Sequence, residues 1–203
     1  MLLGQYGSGF ILERTNGGFT MCGRLNILAN MLNNQVSDEL RIRFEAEENT
    51  DLRPTQKVST VVKRPDGLQQ LDMVWGIQPS WSKKLLINAQ EESAMQKPTW
   101  RNAMQTHRCI VPCSGWYEWR NEGGPKKQKY LFSHPDGKPL YMAGIWFEAE
   151  TPQLVTLTTA ANEVYKPYHH RMPVISDIAE CSTWLENGNN LNAEIKNLTI
   201  HNI

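Results

Sequence analysis

The feature that most restricts the fold lies between residues 108 and 162, where apolar and aromatic runs alternate with turn-forming segments. Four runs have the composition of β-strands: RCIVPCSGWYEWR, KKQKYLFSH, LYMAGIWFE and LVTLTTAAN. They are separated by NEGGP, PDGKP and AETPQ, which are rich in residues that favour turns. Upstream, two alternating runs flank Arg64-Pro-Asp-Gly67 and predict a β-hairpin.

Helical patterns lie between and after these strands. An acid-rich segment over 38–48 predicts a helix capped at Ser37, and NAQEESAMQ predicts a short one that ends before Pro98. TWRNAMQTH predicts a helix directly after Pro98, and another is expected from Ser176 or Asp177 to Gly188. The fold class is therefore predicted to be α+β, a single domain built on a mainly antiparallel β-sheet or barrel with short flanking helices.

Composition excludes several classes of protein. The chain has 203 residues, 21 basic and 21 acidic side chains, and four cysteines. Zero net charge does not predict wholesale capture of nucleic acid, although it leaves room for a local basic patch. Four cysteines do not make a disulfide scaffold, and the longest apolar runs fall short of the ~20 residues that span a bilayer. We therefore expect a cytoplasmic protein, with residues 1–20 forming a leader outside a domain over 21–203.

Four side chains are candidates for chemistry, and each also has a structural interpretation. Cys22 by itself is more often a small buried residue than a nucleophile, and Asn88 is in a position to cap a helix. Glu118 in GWYEW is either the solvent-facing member of a strand or a carboxylate in an apolar environment. His169 lies beside His170 in a proline-bracketed loop, which is either a polar surface feature or the position of a proton donor.

A metal site is not expected. The segment HRCIVPC offers His107, Cys109 and Cys113, but a second pair of ligands at zinc spacing is missing from the sequence. On a strand, Cys109 and Cys113 share a face and are predicted to be core residues. No cofactor is predicted either.

Taken together and in order, nine motifs closely resemble the SOS response-associated peptidase (SRAP) family. The resemblance extends from about Met21 to Glu186. The motifs are MCGR, PTQ, WGIQPSW, NAQEES, KPTWR, RCIVPCSGWYEW, AGIW, LTTAAN and HHRMPV. The resemblance implies the SRAP fold. It also implies a lyase- or peptidase-like enzyme that forms a covalent cross-link with abasic sites in single-stranded DNA.

Residue roles implied by the resemblance are carried over by position. The catalytic residues would be Cys22, Asn88, Glu118 and His169, because His170 occupies the variable position of the HxRMP motif. Basic and aromatic residues are candidates for binding single-stranded DNA. These are Arg24, Trp81, Lys83, Lys84, Arg101, Arg108 and Arg171. The implied partner is single-stranded DNA that contains abasic sites, bound by a monomer associated with a bacterial or phage nucleoid.

The implied chemistry explains why these residue types are needed. A ring-opened abasic site is an aldehyde, and an N-terminal cysteine offers an amine and a thiol two carbons apart. The amine forms a Schiff base, and the thiol then closes a five-membered thiazolidine ring. Ring opening and loss of water both require proton transfer, which suits Glu118 and His169, while Asn88 is able to orient the reacting groups.

Three features depart from the family pattern. Gln90 replaces an arginine of the NAR motif, so we expect one phosphate contact fewer and a lower salt dependence. The C-terminal NLTIHNI differs from the usual ending, which affects stability more than catalysis. With residues 1–20 attached, the α-amine of Cys22 would be blocked. We favour a translation start at Met21 as the explanation. The alternatives are that the protein cleaves itself before Cys22 or that it is inactive.

Two other classes of function remain open. Cys22 as a thiolate with His169 as its base would make a cysteine peptidase that acts on protein substrates. Alternatively, the protein would be a non-catalytic module that binds single-stranded DNA.

Overall fold

Two β-sheets form the centre of the protein. The computed structural model describes residues 23–188 and 198–203. One sheet has five strands in the order β13-β8-β7-β1-β2, all paired antiparallel. Its strands are β1 (Leu25–Ile27), β2 (Asn49–Leu52), β7 (Gly115–Arg120), β8 (Gln128–Ser133) and β13 (Thr199–Asn202). The C-terminal strand therefore forms and pairs with β8.

The second sheet contains eight strands and closes on itself. Its strands are β3 (Lys57–Arg64), β4 (Gly67–Trp75), β5 (Asn88–Gln90), β6 (Arg108–Cys113), β9 (Leu140–Phe147), β10 (Gln153–Ala160), β11 (Arg171–Pro173) and β12 (Ile175–Ser176). The path runs β11-β10-β4-β3-β6-β9-β12, and β9 also pairs with β10. That extra pairing makes a closed ring of β10, β4, β3, β6 and β9. The prediction of an α+β fold on a mainly antiparallel sheet or barrel is confirmed. Among the described strand pairs, only β10–β4 and β10–β5 are parallel.

Four short helices lie against the sheets: α1 (Ala29–Leu40), α2 (Glu91–Ala94), α3 (Pro98–Thr106) and α4 (Ile178–Asn187). Pro98 opens α3, where its missing N–H costs nothing. The Asp177 side chain accepts a hydrogen bond from the Glu180 N–H at the start of α4. Gly188 ends the same helix at a φ of 68°. The predicted bounds of α3 and α4 are thus confirmed to within a residue or two.

The helix predicted over 38–48 is wrong. Helix α1 ends two residues beyond Asp38, at Leu40. The residues that it buries are Leu32, Val36 and Leu40, so its apolar face begins before the segment that was predicted to be helical. Ser37 is inside this helix, and its Oγ accepts a hydrogen bond from the Phe44 N–H at 3.0 Å. The hydroxyl thus ties the following irregular segment to the helix rather than starting a new one.

The acidic side chains of this segment do not share one helical face. Glu39 accepts a hydrogen bond from the hydroxyl of Tyr141, and Glu45 forms a salt bridge with Arg43. Glu48 accepts a hydrogen bond from the backbone N–H of Ala29 at 2.6 Å. The acidic side chains therefore make separate structural contacts.

Two further elements differ from prediction. RCIVPCSGWYEWR is two strands, β6 and β7, which belong to different sheets. The chain changes sheet at Ser114, whose N–H donates to the Asn26 carbonyl and whose Oγ accepts from the Leu28 N–H. Asn88 does not cap a helix, because it lies in β5 and α2 begins only at Glu91.

The hairpin around Pro65 is confirmed, with Arg64 opposite Gly67.

The core fills the barrel and the space between the sheets. Trp75, Trp116 and Trp184 are its largest fully buried side chains. Cys109 and Cys113 are buried free thiols, as predicted. Burial raises the pKa of Cys113 to about 12. Within residues 23–188 and 198–203, no three His, Cys, Asp or Glu side chains are grouped to hold a metal ion, and none of the helices is long and apolar enough to cross a membrane.

Candidate functional site

Glu118 and His169 line one small cavity at the inner face of β7. The residues around it are Trp116, Glu118, Phe132, Tyr165, Tyr168, His169, Arg171 and Met172. The cavity measures about 10 Å³, which is room for roughly one water molecule. The fold therefore joins the GWYEW and HHRMP motifs, which are fifty residues apart in the chain.

Glu118 faces the interior rather than the solvent. Only 7% of the residue is exposed, and it shares its face of β7 with Trp116, whose ring stacks on Phe132 at a centroid distance of 4.9 Å. Tyr117 and Trp119 point to the opposite face, where the Lys129 ammonium lies 3.8 Å and 5.9 Å from their ring centroids. Of the two interpretations open for Glu118, the solvent-facing one is therefore excluded: the carboxylate is buried beside aromatic rings, and His169 and Arg171 line the same cavity.

The backbone around His169 determines which ring nitrogen carries hydrogen. The Arg171 N–H donates to His169 Nδ1 at 3.1 Å, so the neutral imidazole holds its hydrogen on Nε2. Burial lowers the pKa of His169, and the charges of His170 and Lys127 lower it further. The two histidine rings lie 4.3 Å apart. The lowered pKa favours the neutral form of the His169 ring.

A salt bridge fixes the strand that follows His169. The Arg171 guanidinium donates to both carboxylate oxygens of Glu92, at 2.7 and 2.6 Å, and to the Thr158 carbonyl at 2.6 Å. Glu92 also accepts from the Thr159 hydroxyl and the Ala160 N–H. These bonds connect α2, β10 and β11. Hydrogen bonding to Arg171 holds the pKa of Glu92 at about 2.

Asn88 is positioned by the neighbouring strand. On the parallel pair β5–β10, Thr156 lies opposite Asn88. The Thr156 hydroxyl donates to Asn88 Oδ1 at 2.5 Å. Ile87, the residue before Asn88, lines the groove described next.

A larger groove begins beside the first described residues. It has a volume of about 520 Å³ and is lined by Gly23, Arg24, Pro54, Leu85, Ile87, Trp119 and Lys127. Leu25 lies opposite Trp116, and the Tyr117 N–H donates to the Arg24 carbonyl. Continuing this antiparallel register brings Gly23 beside Glu118. Arg24 forms a 2.7 Å salt bridge with Asp51, and its guanidinium lies 5.8 Å from the Trp119 ring centroid.

Other candidates for binding DNA are distributed differently. Trp81 is 67% exposed, and the neighbouring Lys83 and Lys84 are exposed as well. Arg101 is exposed on α3 and donates to the Met95 and Gln96 carbonyls. Arg108 does not line the groove or the cavity; it binds the carbonyls of residues 104, 105 and 186 at the ends of α3 and α4. The role of Arg108 in DNA binding stays a prediction, as do the roles of the other DNA-binding candidates. Cys22 lies outside the described residues.

Three residues of the site are not predicted by the sequence. Thr156 has no motif of its own and is identified only by its pairing with Asn88. Glu92 lies in the NAQEES motif, but its partner Arg171 is 79 residues away in the chain. Lys127 belongs to KKQKYLFSH, which was interpreted only as a strand, yet it lines the groove and its charge acts on His169.

Comparisons with known proteins agree in fold and family. The family described as SOS response associated peptidase (SRAP) matches residues 21–202. The chain is 32% identical over 145 residues to the abasic site processing protein YedK of Escherichia coli, covering 66% of this chain and 63% of YedK. It is 25% identical over 179 residues to the abasic site processing protein YoqW of Bacillus subtilis, covering 81% of this chain and 80% of YoqW.

A solved structure supports the fold alone. A crystal structure of a protein from Bordetella bronchiseptica superposes with a TM-score of 0.76 at 22% identity. The match covers 90% of this chain and 99% of the other.

Proposed function

Because the chain belongs to the SOS response-associated peptidase (SRAP) family, we propose that it processes abasic sites in DNA. Relatives that align over most of their length, such as YoqW, are named abasic site processing proteins. The specific activity we propose is a covalent thiazolidine cross-link between Cys22 and an abasic site in single-stranded DNA. The observation that carries it is the pairing of Glu118 and His169 in one cavity, with Gly23 of the groove brought beside Glu118 by the register of β1 and β7.

The cross-link needs a free α-amine on Cys22. The amine attacks the aldehyde carbon of the ring-opened sugar, and the resulting carbinolamine loses one water to give an imine. The thiol sulfur then adds to the imine carbon, and its proton moves to the nitrogen. The product is therefore the sum of protein and DNA less one water, and it is stable because two bonds to the same carbon must break to release the DNA.

Glu118 and His169 are assigned separate tasks in this reaction. Glu118 is the carboxylate that accepts a proton from the attacking amine and returns it to the hydroxyl that leaves as water. His169 has Nδ1 occupied by the Arg171 N–H, which leaves its Nε2–H to donate a hydrogen bond to the sugar oxygen released on ring opening. The lowered pKa of His169 favours this neutral form.

The groove has the chemistry expected for a single DNA strand. Arg24 and Lys127 supply positive charge, while Trp119, Pro54 and Leu85 supply flat or apolar surface. Single-strand binding sites combine these two elements, because bases stack on aromatic rings while cations follow the phosphates. The exposed Trp81 and the two lysines after it extend the proposed surface, and DNA as substrate associates the protein with the nucleoid.

Intact mass spectrometry tests the proposal directly. A protein that starts at Cys22 is incubated with a single-stranded oligonucleotide carrying one abasic site. We expect a new species at the summed mass less one water, and none with a tetrahydrofuran analogue, which has no aldehyde. The full 203-residue chain should react only if residues 1–21 are first removed.

Substitution separates this reaction from the alternatives. Cys22→Ser should lose the stable adduct, because its hydroxyl does not close a thiazolidine. A protein confirmed to start at Cys22 that forms no adduct contradicts the proposal. Peptide hydrolysis without an adduct would indicate a cysteine peptidase, and DNA binding without an adduct would indicate a passive binding module.

A further inference from the structure

We propose that Thr156 is a positioning residue that fixes the amide of Asn88 with its donor end directed to the substrate. This inference rests on the proposed cross-linking function and adds a residue to that site. It begins with the pairing of β5 and β10, which places Thr156 directly opposite Asn88. The Thr156 N–H also donates to the Ile87 carbonyl at 3.1 Å, so the backbone holds the two residues in register.

The hydroxyl of Thr156 has one preferred acceptor. It lies 2.5 Å from Asn88 Oδ1 and 3.5 Å from the Ile87 carbonyl, and the longer distance is at the limit of a hydrogen bond. Thr156 is buried, so water does not compete for the hydrogen. The single O–H donor is therefore assigned to Asn88.

This bond defines which end of the amide faces Thr156. The oxygen and nitrogen of an asparagine amide are nearly equal in shape, so neighbouring hydrogen bonds determine the orientation. A hydroxyl that donates to Oδ1 directs Nδ2, which carries two hydrogens, away from β10. Asn88 then acts on the substrate as a donor, and an oxygen of the abasic sugar is the matching acceptor.

The consequence for the reaction is specific. A donor at the aldehyde oxygen polarises the carbonyl before the amine attacks, and it stabilises negative charge on that oxygen as the bond forms. Without the Thr156 donor, the orientation that presents Oδ1 to the substrate loses its disadvantage, and that orientation would repel the same oxygen. Thr156 thus acts through Asn88, without contact with the DNA.

The test compares single-turnover cross-linking rates of variants that start at Cys22. Thr156→Val removes the hydroxyl and keeps the shape, and we expect it to slow cross-linking about 5- to 10-fold, the effect of one hydrogen bond. Thr156→Ser should restore the rate to within about twofold, because it keeps the donor. In an Asn88→Ala background, Thr156→Val should have no further effect, since the residue through which it acts is gone.

Thr60→Val is the matched control. Thr60, like Thr156, is a buried threonine on a strand, but its hydroxyl donates to the Leu71 carbonyl. Thr60 lines neither the groove nor the cavity. We expect Thr60→Val to react at the wild-type rate. Equal rates for Thr156→Val and Thr60→Val, with an active wild type, would overturn the inference and leave the proposed function intact.

Two further measurements keep the test decisive. If Thr156→Val folds poorly, Thr156→Ala and Thr156→Ser give the same comparison, because they differ only in the hydroxyl. The NMR signals of the Asn88 side-chain NH₂ should shift in Thr156→Val and not in Thr60→Val. That readout needs no reaction, so unchanged signals overturn the inference even if the wild type forms no adduct.

Discussion

Glu92→Gln should destabilise the protein by an amount that depends on pH. The wild-type carboxylate makes two hydrogen bonds to the Arg171 guanidinium, which lower the pKa of Glu92 from 4.5 to about 2. At ~1.36 kcal/mol per pH unit, this fall corresponds to an upper value of about 3 kcal/mol. The Glu92 side chain is 45% exposed, so solvent screening reduces the expected loss to about 1–2 kcal/mol at pH 7.

The sign of the pH dependence follows from the direction of the shift. A depressed carboxyl pKa gives stability that is fully present above pH 4.5 and is lost as the pH falls towards 2. Urea unfolding of both proteins between pH 7 and pH 2.5 measures this, and their difference should shrink over the acid range. Glu163→Gln, which removes an exposed pair with Lys166, is the control and should change stability by less than about 0.5 kcal/mol. A Glu92→Gln effect that is the same at pH 7 and pH 3 would refute the reasoning.

Three other outcomes are expected. His170→Ala should raise the pKa of His169, because the charge of His170 contributes to lowering it; an NMR titration of the His169 ring checks this, and an unchanged midpoint contradicts it. Trp81→Ala should weaken binding of undamaged single-stranded DNA by about 1–3 kcal/mol, measured by fluorescence anisotropy, with unchanged thermal stability because the ring is 67% exposed. Cys109 and Cys113 should not react with a thiol reagent in the native protein, because both are buried and burial raises their pKa values; labelling followed by peptide mass mapping should show modification only after unfolding.

Local sequence patterns were sufficient for elements whose signals lie within a few residues. Pro98, Asp177 and Gly188 predicted the ends of α3 and α4, and the Arg-Pro-Asp-Gly turn predicted the hairpin of β3 and β4. The same kind of reasoning failed at Ser37, where the serine binds the segment after its helix. A hydroxyl before acidic residues is compatible with both arrangements, and only the packing of α1 distinguishes them.

The candidate site was predicted only in part for the same reason. The motifs identified Asn88, Glu118 and His169, because their residue types and order resemble a known family. Sequence did not reveal Thr156 or Lys127, whose partners in the site are tens of residues away in the chain.

The sequence alone determined the fold class, the family and the residue types available for chemistry. The tertiary structure decided that Glu118 is buried, that it shares a cavity with His169, and that the Thr156 hydroxyl donates to Asn88 Oδ1. The physical reason is that burial and hydrogen-bond geometry depend on strands from distant parts of the chain. These properties arise only when β7, β10 and β11 come together in the folded protein.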